Sequence, residues 1–426
     1  MPTMHSQNRN TLTLWLSLSC AALLVACGGG GSHKDARVRL LNASADLSSA
    51  DLFVENGKLA SSIAARSVSA YADRGPGGLS LQIRSSGDGA TVASSPVTLK
   101  DQTHYTVIAY GRTGAIRTSL LQEDQEAPPS GQSKLMVLNL APEAGALDVF
   151  VTAADASLAG ATPFATNLAG GAGSGYLTRN SGSFRVRVTG TGRTDDLRLD
   201  LADLKLDSGA VTTLVLTGGS GGVLVHGLTL AQRGEAVRRD NPMARVRLVA
   251  AMAGGRVDGS IGERKLLDAA AAPVIGDYTQ VPADASALRT SLDGQETVRT
   301  LPAMTAGGDY TLLLRGPASS ATLDVLTDEN RPPAQAGQAR LRLVNGLAQP
   351  VSLNFNYSPL AGAISPGAAG GGTVTATTSA LLTVTAPQSA AALHTEPSFA
   401  ALADGVYTVF MLGGDGTARG VVRRER

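Results

Sequence analysis

The 426-residue chain is poor in the side chains that most often carry chemistry. It has two cysteines, Cys20 and Cys27, one tryptophan, Trp15, and 4% aromatic residues. Its formal net charge is only +1, which leaves no basic footprint for nucleic-acid phosphates. The apolar run at residues 11–26 is shorter than the roughly 20 residues that a spanning helix needs, and no later run is apolar for long enough. What is abundant is glycine, 50 residues, with Val, Leu and Thr in short runs between turns. That composition predicts an all-β protein, and the length predicts several domains of about 100–200 residues each.

Residues 11–26 follow a polar start carrying Arg9 and end in Leu24-Val25-Ala26-Cys27, before Gly28-Gly29-Gly30-Gly31-Ser32. This resembles the lipobox of bacterial lipoproteins, where a diacylglycerol is attached to the cysteine and the preceding peptide is cut. The residues suit that chemistry: a nucleophilic sulfur, small side chains at the cut, and a branched apolar residue for the peptidase. The resemblance implies a signal peptide at 1–26, cleavage between Ala26 and Cys27, and palmitate-type acylation at Cys27. One acyl chain binds reversibly at about 0.8 kcal/mol per buried CH₂, whereas the two or three implied here hold. Gly28 is not the Asp associated with inner-membrane retention, so the expected location is the cell envelope, lipid-anchored, at the outer membrane. Cleavage removes Arg9, Cys20 and Trp15, leaving 35 basic and 35 acidic residues. With its one remaining cysteine lipidated, the mature chain has no disulfide, thiolate metal site or cysteine nucleophile.

The body of the chain repeats itself. Ala36-Arg37-Val38-Arg39-Leu40-Leu41-Asn42 recurs as Ala244-Arg245-Val246-Arg247-Leu248-Val249-Ala250 and as Ala339-Arg340-Leu341-Arg342-Leu343-Val344-Asn345, with a looser copy at Lys134-Leu135-Met136-Val137-Leu138-Asn139. Asp51-Leu52-Phe53-Val54 is echoed by Asp148-Val149-Phe150-Val151, by Asn354-Phe355-Asn356-Tyr357 and, one residue early, by Val257-Asp258-Gly259. Tyr71, Tyr176 and Tyr278 precede turns, and each unit closes on a strand such as Tyr105-Thr106-Val107, Tyr310-Thr311-Leu312 or Tyr407-Thr408-Val409. Residues 122–133, 233–243 and 328–338 read as exposed polar linkers, the first sites of proteolysis. After the tether at 27–36, the expected domains are β-sandwich repeats at 37–127, 134–235, 244–330 and 339–426.

Phe184, Val186 and Val188 alternate with Arg185 and Arg187, as in a strand with one wet face. Leu197, Leu199 and Leu201 do likewise before the phase slips at Ala202-Asp203, which predicts a bulge. Residues 263–272 have helix propensity and are expected to be helical. Phe53 and Phe150 are expected to face inward. Short strands with frequent turns predict tandem immunoglobulin-like antiparallel β-sandwich domains. The Asn-Ala-Ser-x-Asp, Asp-Leu-Phe-Val and Tyr-Thr-Val pattern resembles the bacterial family catalogued as domain of unknown function 4397, best in units 1 and 2. That resemblance implies an immunoglobulin-like sandwich in an envelope or extracellular setting, and no catalytic residues.

Candidate chemistry is sparse. Gly218-Gly219-Ser220-Gly221-Gly222 fits a nucleophile elbow, but lies between two strand-like runs where a hairpin turn is expected. His33, His104, His226 and His394 are scattered, whereas zinc needs three or four convergent ligands. Asp46 with Asp51 and Glu143 with Asp148 offer a calcium-like spacing that units 3 and 4 do not reproduce. Gly170–Gly175 and Gly367–Gly372 lack the Gly-Lys-Ser/Thr of a phosphate loop. Tyr105, Tyr310 and Tyr407 sit where tyrosine corners would, and the Arg423-Arg424-Glu425-Arg426 tail reads as a solvated end. No catalytic residue, metal or cofactor is expected. The function expected is a non-enzymatic lipoprotein, an extended stalk or scaffold that binds an envelope protein or polysaccharide through its loops. A carbohydrate- or peptidoglycan-associated module is the alternative, and an envelope hydrolase ranks third.

Overall fold

The computed structural model describes residues 34–387, 389–414 and 416–426. Residues 1–33, with Ala26, Cys27 and His33 among them, lie outside the described residues. Every unit is a two-sheet sandwich, so the chain is an all-β tandem of immunoglobulin-like domains. Among the described residues, no helix is long and apolar enough to cross a membrane.

In unit 1 the opening strand Ala36–Asn42 lies parallel to the late strand His104–Tyr110, which pairs antiparallel with Arg117–Gln122. The opposing sheet runs Gly57–Ala64, Ser49–Val54, Gly77–Ser85, Thr91–Leu99, all antiparallel. The parallel pair recurs as Gln132–Leu140 with Val211–Gly218, Met243–Ala250 with Asp309–Arg315, and Gln338–Asn345 with Val406–Leu412. Parallel neighbours need a long crossover, and here the whole second sheet supplies it. Between the sheets of unit 1, Val38, Leu40, Leu52, Leu81, Ile83 and Val107 form the core. Each such side chain, fully buried, contributes about 1.5–3 kcal/mol.

The repeated polar residues hold turns. Asn42 Nδ2 donates to the carbonyls of Leu47 and Ile63, while its Oδ1 accepts from the Ser44 N–H. Asn139 and Asn345 do the same in units 2 and 4, and Ala250 stands in that place in unit 3. Asp51, Asp148 and Asp258 accept from the N–H of Ser62, Asn167 and Ala269, each at 2.8 Å. Those three residues have positive φ at a bulge, where the interrupted ladder offers their N–H no backbone partner. Tyr105, Tyr310 and Tyr407 are tyrosine corners, buried with their hydroxyls accepting from the N–H of Lys100, Thr305 and Leu402. The slip at Ala202-Asp203 is a bulge: Phe184 pairs with Leu204, but Val186 pairs with Leu201.

Other expectations fail. Residues 263–272 hold no helix; Arg264–Ala271 is a strand beside Arg256–Ile261. Burial of Leu266 and Leu267 in the core outweighs a weak local preference. Phe53 and Phe150 face outward, because their neighbours Leu52 and Val149 take the core side and a strand alternates. Phe53 is half-buried beside Arg84 and Lys58, and Phe150 is buried on the outer face. In unit 4, Leu353 pairs with Ala361 as Leu52 pairs with Ala60. Ser352 and Asn354 are therefore the counterparts of Asp51 and Phe53, two residues before the expected alignment.

The units do not form a stalk. The opening sheets of units 1 and 2 pack outer face to outer face through Leu41, Ile108 and Tyr110 against Leu138, Leu140 and Val215. Units 3 and 4 repeat this with Val249 and Leu313 against Val344, Phe410 and Leu412. The late strands are consequently apolar on both faces, as strands buried on two sides are. The two pairs also touch. Gln280 of unit 3 donates to the Leu197 carbonyl of unit 2, and Arg331 reaches Asp46 of unit 1 at 3.0 Å.

Candidate functional site

Polar chemistry concentrates where units meet. Glu123, just past the last strand of unit 1, is 1% exposed. Its carboxylate accepts both bonds from Arg39 Nη2, at 2.9 and 3.0 Å, a third from the Tyr71 hydroxyl at 2.9 Å, and others from Thr106 and the Arg233 N–H of unit 2. Arg39 also donates to the Gly234 carbonyl and lies 4.6 Å over the Tyr71 ring.

The second joint repeats the design. Asp328 accepts from Tyr278 at 2.5 Å, Thr311 at 2.6 Å and Arg247 at 3.5 Å, all of unit 3, and from Arg342 of unit 4 at 2.6 Å. Arg247 reaches across to Glu425 at 2.7 Å and lies over the rings of Tyr278 and Phe410. Burial would raise the Asp328 carboxyl, but the guanidiniums of Arg342 and Arg247 hold it below the usual carboxylate range. Burial, together with the neighbouring acid, pushes the Tyr71 and Tyr278 hydroxyls up, so both stay protonated donors. The supposed linkers are therefore pinned, and 233–243 even contains a strand, Ala236–Arg239, paired to Val225–Ala231.

A cleft of about 840 Å³ opens where units 2, 3 and 4 meet. Asp196, Arg198, Arg245, Tyr278, Glu425 and Arg426 line it. Arg198 grips Asp196 at 2.8 and 2.5 Å, and Arg245 grips the buried Asp309. Burial raises Asp309 against the pull of Arg245. Arg426 donates to the Gly222 carbonyl at 2.9 Å; burial and the nearby Arg198 and Arg245 pull it down to about 10. The tail is thus not a solvated end: Glu425 and Arg426 close the joint. A wall of arginine–acid pairs suits a polar or charged ligand.

The sequence-predicted groups stay apart. Ser220 is exposed on a hairpin turn whose glycines dock on unit 3, with Gly221 N–H donating to the Gly307 carbonyl at 2.9 Å. A Cβ at Gly221 would lie 2.6 Å from the Asp309 backbone nitrogen, so close approach explains the glycine. His104 stands edge-on to Tyr71 and is lowered first by burial, then by Arg233. His226 is buried between units 2 and 3, where its Nδ1 accepts from the Asn241 N–H. His394 lies 3.3 Å from Glu396. Asp46 and Glu143 face Arg331 and Arg112 rather than their expected mates Asp51 and Asp148. No group of three potential metal ligands converges among the described residues. Gly170–Gly175 folds back on unit 2, where Gly173 bridges Leu138. Gly370, Gly371 and Gly372 lie in a strand paired with Gln338–Asn345.

The model of a family described as a domain of unknown function (DUF4397) matches residues 36–150 and 244–355, more than half the chain. Each match covers one whole sandwich, unit 1 or unit 3, and the first strands of the next. No curated protein matches the chain. Among solved structures, it is similar to the CBM26-family module CBMbc of Eubacterium rectale Amy13K, solved with maltoheptaose. The identity is 14%, over 47% of this chain and 97% of that one, with a TM-score of 0.17. The Bacillus anthracis TIE protein matches at 8% identity over 66% of this chain and 50% of its own, with a TM-score of 0.15. A candidate cell-adhesion protein of Bacteroides uniformis matches at 13%, over 47% and 98%, with a TM-score of 0.21. At such scores these likenesses carry no argument about ligands.

Proposed function

The chain belongs to the DUF4397 family, and from that premise we propose that it is a lipid-anchored, non-enzymatic scaffold of the cell envelope that binds a protein partner. The observation that carries this reading is the pair of buried joints at Glu123 and Asp328. Each spends arginines, acids and hydroxyls on fixing one sandwich against the next, so the polar groups serve rigidity, and loops are held on a stiff frame. A carbohydrate- or peptidoglycan-associated role is the second reading, favoured by the polar walls of the cleft between units 2, 3 and 4. Tyr357 is the only exposed aromatic ring among the described residues, so no stacking platform of several rings supports it.

Anchoring rests on the Leu24-Val25-Ala26-Cys27 motif, with Cys27 carrying the lipid and Gly28 directing the chain to the outer membrane. Metabolic labelling with an alkyne fatty acid tests it. The wild type should incorporate label and fractionate with outer membranes. Cys27→Ala should stay uncleaved and unlabelled. A Cys27→Ala protein that is cut and membrane-bound like the wild type would overturn the anchor.

A further inference from the structure

In unit 1 the outer face of the second sheet carries Phe53, with the Arg84 guanidinium 4.0 Å over its ring and the Lys58 ammonium at 5.3 Å. Strand register places Ser260 at the same point of unit 3, since Ser260 pairs with Lys265 and Arg289 as Phe53 pairs with Lys58 and Gln82. The lysine is kept and the ring is missing. A groove of about 430 Å³ lies there, walled by Lys265, Arg289, Glu296 and Val298. Lys265 holds Asp268, but the side chains of Arg289 and Glu296 have no hydrogen bond or ion pair to any described residue. Val298 is 62% exposed.

A matching ring stands elsewhere on the chain. Tyr357 is 88% exposed at the tip of the hairpin Val351–Phe355 and Ser358–Ile364 of unit 4. Asn356 and Tyr357 have φ of 48° and 67°, a two-residue turn whose second place favours glycine. A bulky residue there is strained, and strain kept at an exposed position points to use.

We infer that Tyr357 of one copy inserts into the unit 3 groove of a second copy, taking the place that Phe53 fills in unit 1. Lys265 and Arg289 meet the faces of the ring, Val298 its edge, and Glu296 accepts from the phenol hydroxyl. Knob and groove are different surfaces, so the contact is heterologous and propagates copies head to tail. One ring in one groove is a weak contact in dilute solution, and confinement to a membrane raises its effective concentration. The inference goes beyond the scaffold reading and holds whether or not Cys27 is acylated.

The test uses two differently tagged copies of the full chain, one carrying Ser358→Cys beside the intact Tyr357, the other Gln295→Cys at the groove rim. Oxidation should join them at least about tenfold above the background set by Val237→Cys, an exposed site on unit 2. Adding Ser260→Phe to the Gln295→Cys copy fills the groove and should return the signal to background. Tyr357→Gly should remove concentration-dependent self-association in sedimentation while raising the melting temperature, a combination that no folding defect produces. Crosslinking at background, crosslinking that survives Ser260→Phe, or Tyr357→Gly sedimenting as the wild type would each overturn the inference. So would a saccharide or a free tyrosine amide occupying the groove with no contact between copies.

Discussion

Asp328→Ala removes the centre of the second joint. The lost carboxylate strands the Arg342 guanidinium, whose side chain is 13% exposed, beside one weak bond to the Thr327 carbonyl. It also leaves the Tyr278 and Thr311 hydroxyls without their acceptor. Arg247 keeps Glu425 at 2.7 Å and loses only its longer contact. Removing one partner of a buried ion pair costs about 3–5 kcal/mol, and an unsatisfied buried donor about 1–3 kcal/mol, terms that overlap. An overall loss of about 3–5 kcal/mol is expected, a large part of the stability of a domain. For a pair of units this lowers the melting temperature by roughly 10–15 °C. Calorimetry on the full chain should show the transition of units 3 and 4 moving and that of units 1 and 2 staying. Arg342→Met should be milder, because Met136 occupies the equivalent place beside Thr213, as Arg342 sits beside Thr408. Since the folded carboxyl sits below its ordinary value of 3.8, its contribution is complete above about pH 4 and is lost as the pH falls through the folded value. An Asp328→Ala protein within about 1 kcal/mol of the wild type would refute the reasoning.

Phe53→Ala should cost only about 1–2 kcal/mol in chemical denaturation, since a half-buried outer ring leaves no core cavity and loses its stacking on Arg84. Ser220→Ala should leave melting and any hydrolytic activity unchanged, whereas Gly221→Ala should lower the melting temperature by pushing on Asp309. Limited proteolysis should cut the exposed loop at residues 153–160 before the joints at 122–133 and 328–338, and should release paired rather than single units, as mass spectrometry of the fragments would show.

Strands were legible wherever apolar and polar residues alternate, even where the polar face is covered, as at Arg187, 7% exposed. Phe184 to Val188 alternate cleanly, and the slip at Ala202-Asp203 marked its bulge. The tyrosine corners were legible because Tyr105, Tyr310 and Tyr407 recur at one place in the unit. Two signals were present but carried another meaning. The unbroken apolar runs ending in Tyr110 and Leu412 reported a second buried face, hence paired units. Period two itself put Phe53 opposite Leu52 and Val54. The joints were not legible. Glu123 and Asp328 look like solvated linker charges, because Arg39 and Arg247 lie 84 and 81 residues away in the chain. The groove in unit 3 appears only when the bulge-corrected register sets Ser260 against Phe53.

The central claim is that four sandwiches form one stiff body rather than a string, and small-angle scattering of residues 34–426 tests it most directly. A compact chain of that length has a radius of gyration of about 21 Å, and the packed pairs should fall within a few ångströms of it. A value above roughly 35 Å, as strung-out domains of about 13 Å each would give, would contradict the account.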